Sequence, residues 1–113
     1  MNYNKERIKG WLVFTIQGEL DIIQSDDYDM LNNDVRNEVI DEEYKFFFDL
    51  NAVPYIDSSG LSILIFITSI ASKNGSTIKV CGLNDITKKV FRLLKAHHVF
   101  EVYKTREQAV NSL

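Results

Sequence analysis

Tyr44-Lys45-Phe46-Phe47-Phe48-Asp49-Leu50, then Ala52-Val53-Pro54-Tyr55 and Ile56-Asp57-Ser58-Ser59-Gly60-Leu61, is the stretch on which the fold turns. Its first segment is nearly continuous in aromatic residues, the pattern of a central strand buried on both faces by helices. Pro54 punctuates a turn. The last segment sets two hydroxyls beside a carboxylate and opens an apolar run, so a helix is predicted from Ser58 or Ser59 to about Lys73, with Asn74-Gly75 as its stop. A strand that passes straight into a helix is the repeating unit of an α/β layer.

Upstream, Tyr3 to Ile8 and Trp11 to Ile16 flank Lys9-Gly10, which suits a hairpin between antiparallel strands, and the polar first strand reads as an edge. Gly18-Glu19-Leu20-Asp21 follows. Ser25 to Asp41 spaces Tyr28, Leu31, Val35 and Val39 by three and four, with Asp26, Asp27 and Asp29 in its first turn, as in an amphipathic helix whose start carries negative charge. Downstream, Thr77 to Cys81 alternates like a strand and ends at Gly82. Asn84 or Asp85 caps a third helix with Ile86, Val90, Phe91 and Leu94 on one face. Val99 to Tyr103 is a last strand and Thr105 to Leu113 a short final helix. The predicted order is ββαβαβαβα, an α/β fold with a mixed central β-sheet and crossover helices, in one domain over residues 1–113.

The chain has 113 residues, 45% apolar and 26% charged, the balance of a soluble globular domain. With 13 Lys and Arg against 16 Asp and Glu the formal charge is −3, and no basic stripe is interleaved with aromatics, so nucleic acid is not an expected partner. The longest apolar run, Leu61 to Ala71, is interrupted by Ser62, Thr68 and Ser69 and falls short of the ~18 to 20 residues a bilayer requires. Met1-Asn2-Tyr3-Asn4-Lys5 lacks the apolar core of a signal peptide. One cysteine, Cys81, permits no internal disulfide. These features together predict a cytoplasmic protein with no membrane insertion.

Asp49-Leu50, Val53 and Tyr55-Ile56-Asp57-Ser58-Ser59-Gly60-Leu61 resemble the signature of STAS-domain anti-sigma factor antagonists, and Gly18-Glu19-Leu20-Asp21 resembles that family's second motif. The motifs stand in the family's order and at about its separation. The resemblance implies partner switching: an antagonist binds an anti-sigma factor that is also a serine kinase, is phosphorylated with ATP, lets go, and is restored by a serine phosphatase. It implies Ser58 as the phosphoacceptor and Asp21 as a residue that orients the serine or touches the partner. The same family also supplies accessory or scaffold subunits of stress-signalling, transporter and lipid-transport complexes, some without phosphorylation.

The residues support a switch on physical grounds as well. A phosphoserine carries about −1.5 to −2 charges, which the N–H groups and dipole of a helix start accommodate. Asp57 beside it adds like charge. Ser59 is the expected cap, and Gly60 stands where a side chain would obstruct a close backbone approach or the incoming kinase. The helix that follows carries two apolar stripes, Leu61, Leu64, Ile65 and Thr68 on one side and Ile63, Phe66, Ile67 and Ile70 on the other. Flanking helices can bury the second stripe, or Ile63, Phe66 and Ile67 can serve with Asp21, Asp57, Ser59 and Gly60 as a docking patch.

Catalysis is not expected. Asp57-Ser58-Ser59-Gly60 lacks the Gly-x-Ser-x-Gly elbow, and the only histidines, His97 and His98, end a distant helix. Gly75-Ser76-Thr77-Ile78-Lys79 is no phosphate-binding loop. Adjacent histidines on a helix point ~100° apart and have no further ligand at a suitable spacing, so no metal or cofactor is expected. His98, where the family usually has Gly, reads as a left-handed helix stop. Two departures from the family pattern are Ser62, in place of Gly or Ala, and the apolar Ile22-Ile23-Gln24.

Overall fold

The computed structural model describes residues 1–21, 25–40, 45–69 and 78–112, without the side chains of 25–27, 39 and 40. Strands β1 (Asn2–Ile8), β2 (Trp11–Gln17), β3 (Phe46–Ala52), β4 (Ile78–Cys81) and β5 (Phe100–Tyr103) form one sheet in sequence order. The first pair is antiparallel and the rest are parallel. Helices α1 (Ser25–Ile40), α2 (Ser58–Thr68), α3 (Asp85–Leu93) and α4 (Arg106–Asn111) follow β2, β3, β4 and β5. The expected element order is therefore the observed one. Tyr44, Ile70, Asn74-Gly75 and the Ile22–Gln24 departure, with the side chains of Asp26, Asp27 and Val39, lie outside what the structure describes.

Lys9 and Gly10 both take positive φ, 50° and 85°, which turns β1 back onto β2 in the hairpin expected from them. From β2 onward each connection moves one strand further in the same direction. Right-handed crossovers of that kind bring their helices to one face, and a single apolar core indeed joins Phe14, Phe46 and Phe48 of the sheet to Tyr28, Leu31 and Val35 of α1, Leu61 and Leu64 of α2, and Phe91 of α3. Phe14, Phe46 and Phe48 meet at ring centroid distances of 5.8 to 6.0 Å.

The opposite face is covered only in part, because α4 is six residues long. Ala109 and Val110 of α4 pack on Val13, Phe47 and Cys81. Lys79 lies on this face, only 6% exposed. Its Nζ donates to the carbonyls of Ala109 (3.0 Å) and Ser112 (2.9 Å) and to Ser112 Oγ, and stands 4.1 Å from the centre of the Trp11 ring. A cation at the C-terminal end of α4 satisfies carbonyls that the helix leaves open. Burial pushes the ammonium of Lys79 below its ordinary pKa, against the pull of Glu101. Nearby, Arg106 binds Asp49 Oδ2 at 3.0 Å, Glu6 Oε1 at 2.5 Å and Thr15 Oγ1 at 2.6 Å, which ties α4 to three strands. Burial, with the charge of Asp49, raises the Cys81 thiol to about 12, so this cysteine stays an inert thiol at neutral pH.

The edge strand is fastened to α1 by a polar cluster. Tyr3 donates to Asp34 Oδ2 at 2.6 Å and Lys5 to Asp34 Oδ1 at 2.9 Å, while Arg7 reaches Glu38 at 3.5 Å. Burial and the bond to Asp34 raise the Tyr3 phenol to about 12 from an ordinary 10.0, and the same carboxylate raises Lys5. Burial works against the Asp34 carboxylate, yet the bonds from Tyr3 and Lys5 hold it below its ordinary 3.8. Both groups that titrate upward are more protonated in the fold than in the unfolded chain. The contribution of Tyr3 is therefore complete below pH 10 and is lost as pH rises through about 12, and that of Lys5 is lost as pH rises through its own raised pKa. Urea midpoints should fall across that interval, and Tyr3→Phe should flatten the fall; an equally steep fall in the variant would contradict the assignment.

Two expectations are corrected here. Helix α3 does not bury Ile86, Val90, Phe91 and Leu94 together: Ile86 is 55% and Leu94 41% exposed, while Thr87 and Phe91 are buried. Thr87 can face the core because its hydroxyl donates to Asn84 O at 3.1 Å, so no polar group is left unpaired. The left-handed residue that ends this helix is Lys95, with φ 54°, and not His98, which belongs to the 3₁₀ turn Ala96–His98.

Candidate functional site

Beyond Gln17 and Ala52, strands β2 and β3 continue as irregular extensions that stay bonded to each other. Gly18 N donates to Ala52 O at 3.1 Å, Leu20 N to Tyr55 O at 3.0 Å, and Asp57 N to Leu20 O at 3.1 Å. Leu20 and Ile56 form a parallel bridge, so Asp21 and Asp57 emerge side by side at the C-terminal ends of the parallel strands. Gly18 takes φ 90°, a conformation that favours glycine at the start of this extension. The two motifs read in the sequence are thus one structural unit.

Helix α2 begins directly at this bridge. Asp57 is its N-cap: the residue is extended, and Oδ1 accepts a 2.7 Å bond from Gly60 N. This corrects the expectation that Ser59 is the cap. Ser, Asp and Asn are near-equal caps, so the choice fell to backbone register: Asp57 is the last residue held by the bridge and the first whose carbonyl accepts a helical bond, from Leu61 N at 3.0 Å. Ser58 consequently occupies the first helical position, exposed, and Ser59 the second, partly buried.

Gly60 is buried. A Cβ there would lie 2.2 Å from Leu20 O, 2.6 Å from Leu20 C and 3.1 Å from the Tyr28 hydroxyl. Of its two expected roles, close backbone approach is the one the packing requires. Tyr28, from α1, donates to Asp21 O at 2.7 Å. The loop of Asp21, the first turn of α1 and the first turn of α2 therefore meet over Gly60.

The apolar circumference of α2 divides differently from its two sequence stripes. Leu61, Leu64, Ile67 and Thr68 are buried, Ile63 and Ile65 pack at the flanks of the core, and Phe66 is 61% exposed. Helices α1 and α3 lie on either side of α2 and cover the flanks. Ile67, at 1% exposure, belongs to the core and is removed from the docking patch, because it follows Leu64 by three residues, as Leu64 follows Leu61, and so shares their inward face. Gly60 is removed as a contact for the same reason. Asp21, Asp57, Ser58, Ser59 and, further along the helix, Ile63 and Phe66 retain some exposure.

The exposure of Tyr55 and Ile86 beside this site escaped the sequence reading, whereas Asn84 was one of the two expected caps of α3. Asn84 caps α3 by accepting from Thr87 N at 2.8 Å, and its amide donates to Pro54 O at 3.1 Å, so the start of α3 is pinned to the loop that leads into α2. Tyr55 in that loop and Ile86 in the first turn of α3 are 43% and 55% exposed. An apolar residue two positions after a cap was the available signal for Ile86. His97 and His98 stack on each other with ring centroids 4.2 Å apart, on the 3₁₀ turn. Among the described residues no group of three or more His, Cys, Asp and Glu could hold a metal ion, and no helix is long and apolar enough to cross a membrane.

A mixed five-stranded sheet whose β2 and β3 extensions seat an aspartate-capped helix start defines an α/β domain of the SpoIIAA-like kind. The chain belongs to the STAS domain family, which it matches over residues 2–109. It is 24% identical over 109 residues to BtrV of Bordetella bronchiseptica, named an anti-sigma factor antagonist, covering 96% of this chain and 91% of that one. The structure superposes on an anti-sigma factor antagonist from Mycobacterium paratuberculosis with a TM-score of 0.79, at 24% identity and over 96% and 90% of the two chains. It also superposes on the Bacillus cell fate determinant SpoIIAA in its phosphorylated form, with a TM-score of 0.72, at 14% identity and over 97% of each.

Proposed function

We propose that this chain is an anti-sigma factor antagonist that works by partner switching in the cytoplasm, as one STAS domain and without catalytic activity of its own. Unphosphorylated, it binds an anti-sigma factor that is also a serine kinase. That kinase transfers a phosphoryl group from ATP to Ser58 and releases the antagonist, and a serine phosphatase restores it. The observation that carries this reading is the exposed Ser58 hydroxyl at the first position of α2, spared from capping because Asp57 fills that role. A phosphate on Ser58 adds charge next to helix-start N–H groups without removing any bond that holds the fold.

Asp21, Asp57 and Ser59 surround the acceptor, with Tyr55, Ile86 and Phe66 as exposed apolar residues on the elements that frame it. Apolar residues rimmed by polar groups are what a protein partner's surface requires. Incubation with the cognate anti-sigma factor kinase and ATP should add a single phosphate, located on Ser58 by fragment-ion mass spectrometry and absent from Ser58→Ala. Phosphate confined to Ser59 would overturn the assignment.

A further inference from the structure

Away from Ser58, the last turns of α3, the 3₁₀ turn and β5 enclose a depression of about 260 Å³ lined by Leu83, Phe91, Val102, Lys88, Arg92 and His97. A second, of about 240 Å³, lies across Arg92, between Lys89 and Leu93. The floor of the first is apolar, since Leu83 and Phe91 are buried members of the core. Its wall is Val102, 45% exposed on β5, which is the last strand of the sheet. Leu93, at 80%, is the most exposed large apolar residue among those described.

The rim is basic in a chain of formal charge −3. Lys88, Lys89, Arg92 and Lys95 fall within eight consecutive positions, and none of them takes part in an ion pair among the described residues. The arrangement differs from β1, where Lys5 and Arg7 are matched by Asp34 and Glu38. An unmatched cluster of cations around an apolar hollow is complementary to an acidic segment with a bulky apolar residue.

We infer that this groove is a second docking site, and that its occupant is an acidic peptide segment of a partner protein, anchored by one apolar side chain between Phe91 and Val102. A peptide fits better than an anionic membrane for two reasons. The hollows are concave and of side-chain size. A peptide also senses charge within a Debye length of about 8–10 Å, whereas a membrane plane opposes the net negative charge of the whole chain.

The probe is a short fluorescein-labelled peptide with a central Leu-Phe pair flanked by aspartates, titrated with the intact chain and read by anisotropy. Saturable binding is expected, weakened about tenfold by Arg92→Glu and about tenfold by Val102→Asp, with amide shift changes at Leu83, Phe91 and Val102. Arg92 and Val102 are exposed, so melting temperatures should confirm that both variants remain folded. Ser58→Glu should leave peptide binding unchanged, which separates this site from the switch. Equal binding of a peptide with lysines for aspartates, or shift changes centred on Ser58, would overturn the proposal. So would no peptide binding together with Arg92-dependent sedimentation on phosphatidylserine vesicles, or with Val102-dependent dimerisation in light scattering.

Discussion

Gly60→Ala should lower the stability of the chain by about 3 kcal/mol, near the upper end of what overpacking a core does, and the melting temperature by roughly 12 °C for a chain of this length. In a helix, alanine is ordinarily better than glycine by nearly 1 kcal/mol. Here the methyl group would sit 2.2 Å from Leu20 O. The atom it meets is backbone, and that backbone is fixed on both sides by the bonds of Leu20 N to Tyr55 O and of Asp57 N to Leu20 O. No rotamer change relieves the contact, so either α2 moves off the sheet or the bridge opens. Thermal unfolding followed by circular dichroism measures the effect; a variant within 0.5 kcal/mol of the parent, the ordinary range for neutral surface changes, would mean that the approach is looser than 2.2 Å implies. Because Asp21 and Asp57 leave the same bridge, the variant should also be a poorer substrate for the kinase in its folded state.

The bridge explains which features were legible in the sequence. The aromatic run of β3 and the spacing of Tyr28, Leu31 and Val35 announced their elements because each repeats one interaction many times. Gly18-Glu19-Leu20-Asp21 and the segment through Gly60 were recognisable as motifs, although their contact rests on long-range backbone bonds that no local pattern encodes. The identity of the cap was decided the same way. Asp57, Ser58 and Ser59 are chemically comparable candidates, and only the bond from Asp57 N to Leu20 O determines where the extended chain ends.

The second face of the sheet was less legible. Lys79 alternates with Ile78 and Val80 in its strand, a pattern that gives no sign of its burial, and its partners are carbonyls at the far end of the chain, contributed by Ala109 and Ser112. Arg106 likewise bridges residues up to a hundred positions away. A charged residue in a strand gives no sign of what will neutralise it. The apolar stripe of α3 misled for a related reason: the helix lies at the side of its layer, where Thr87 serves the core through a local bond and Ile86 is left on the surface.

Phosphorylation of Ser58 should weaken binding to the anti-sigma factor kinase about a hundredfold or more, with little change in the fold. The modification adds about −1.5 to −2 charges beside Asp57, and Asp21 emerges alongside, so three anionic groups would crowd one exposed turn. Like charges brought together at an interface cost several kcal/mol, and a hundredfold corresponds to about 2.7 kcal/mol. The interior of the domain has no reason to respond. Ser58 is exposed, the cap bond from Gly60 N to Asp57 does not involve its side chain, and the added charge lies near helix-start N–H groups that favour it. Release by charge and bulk therefore predicts a local signature: amide shifts that change around Asp21, Asp57 to Leu61 and the start of α3, while those of β3 and β4 stay in place. Titration calorimetry of both forms, with Ser58→Ala as a binding-competent control, measures the affinity change. Shift changes spread through the sheet would replace this account with one in which phosphorylation rearranges the whole domain.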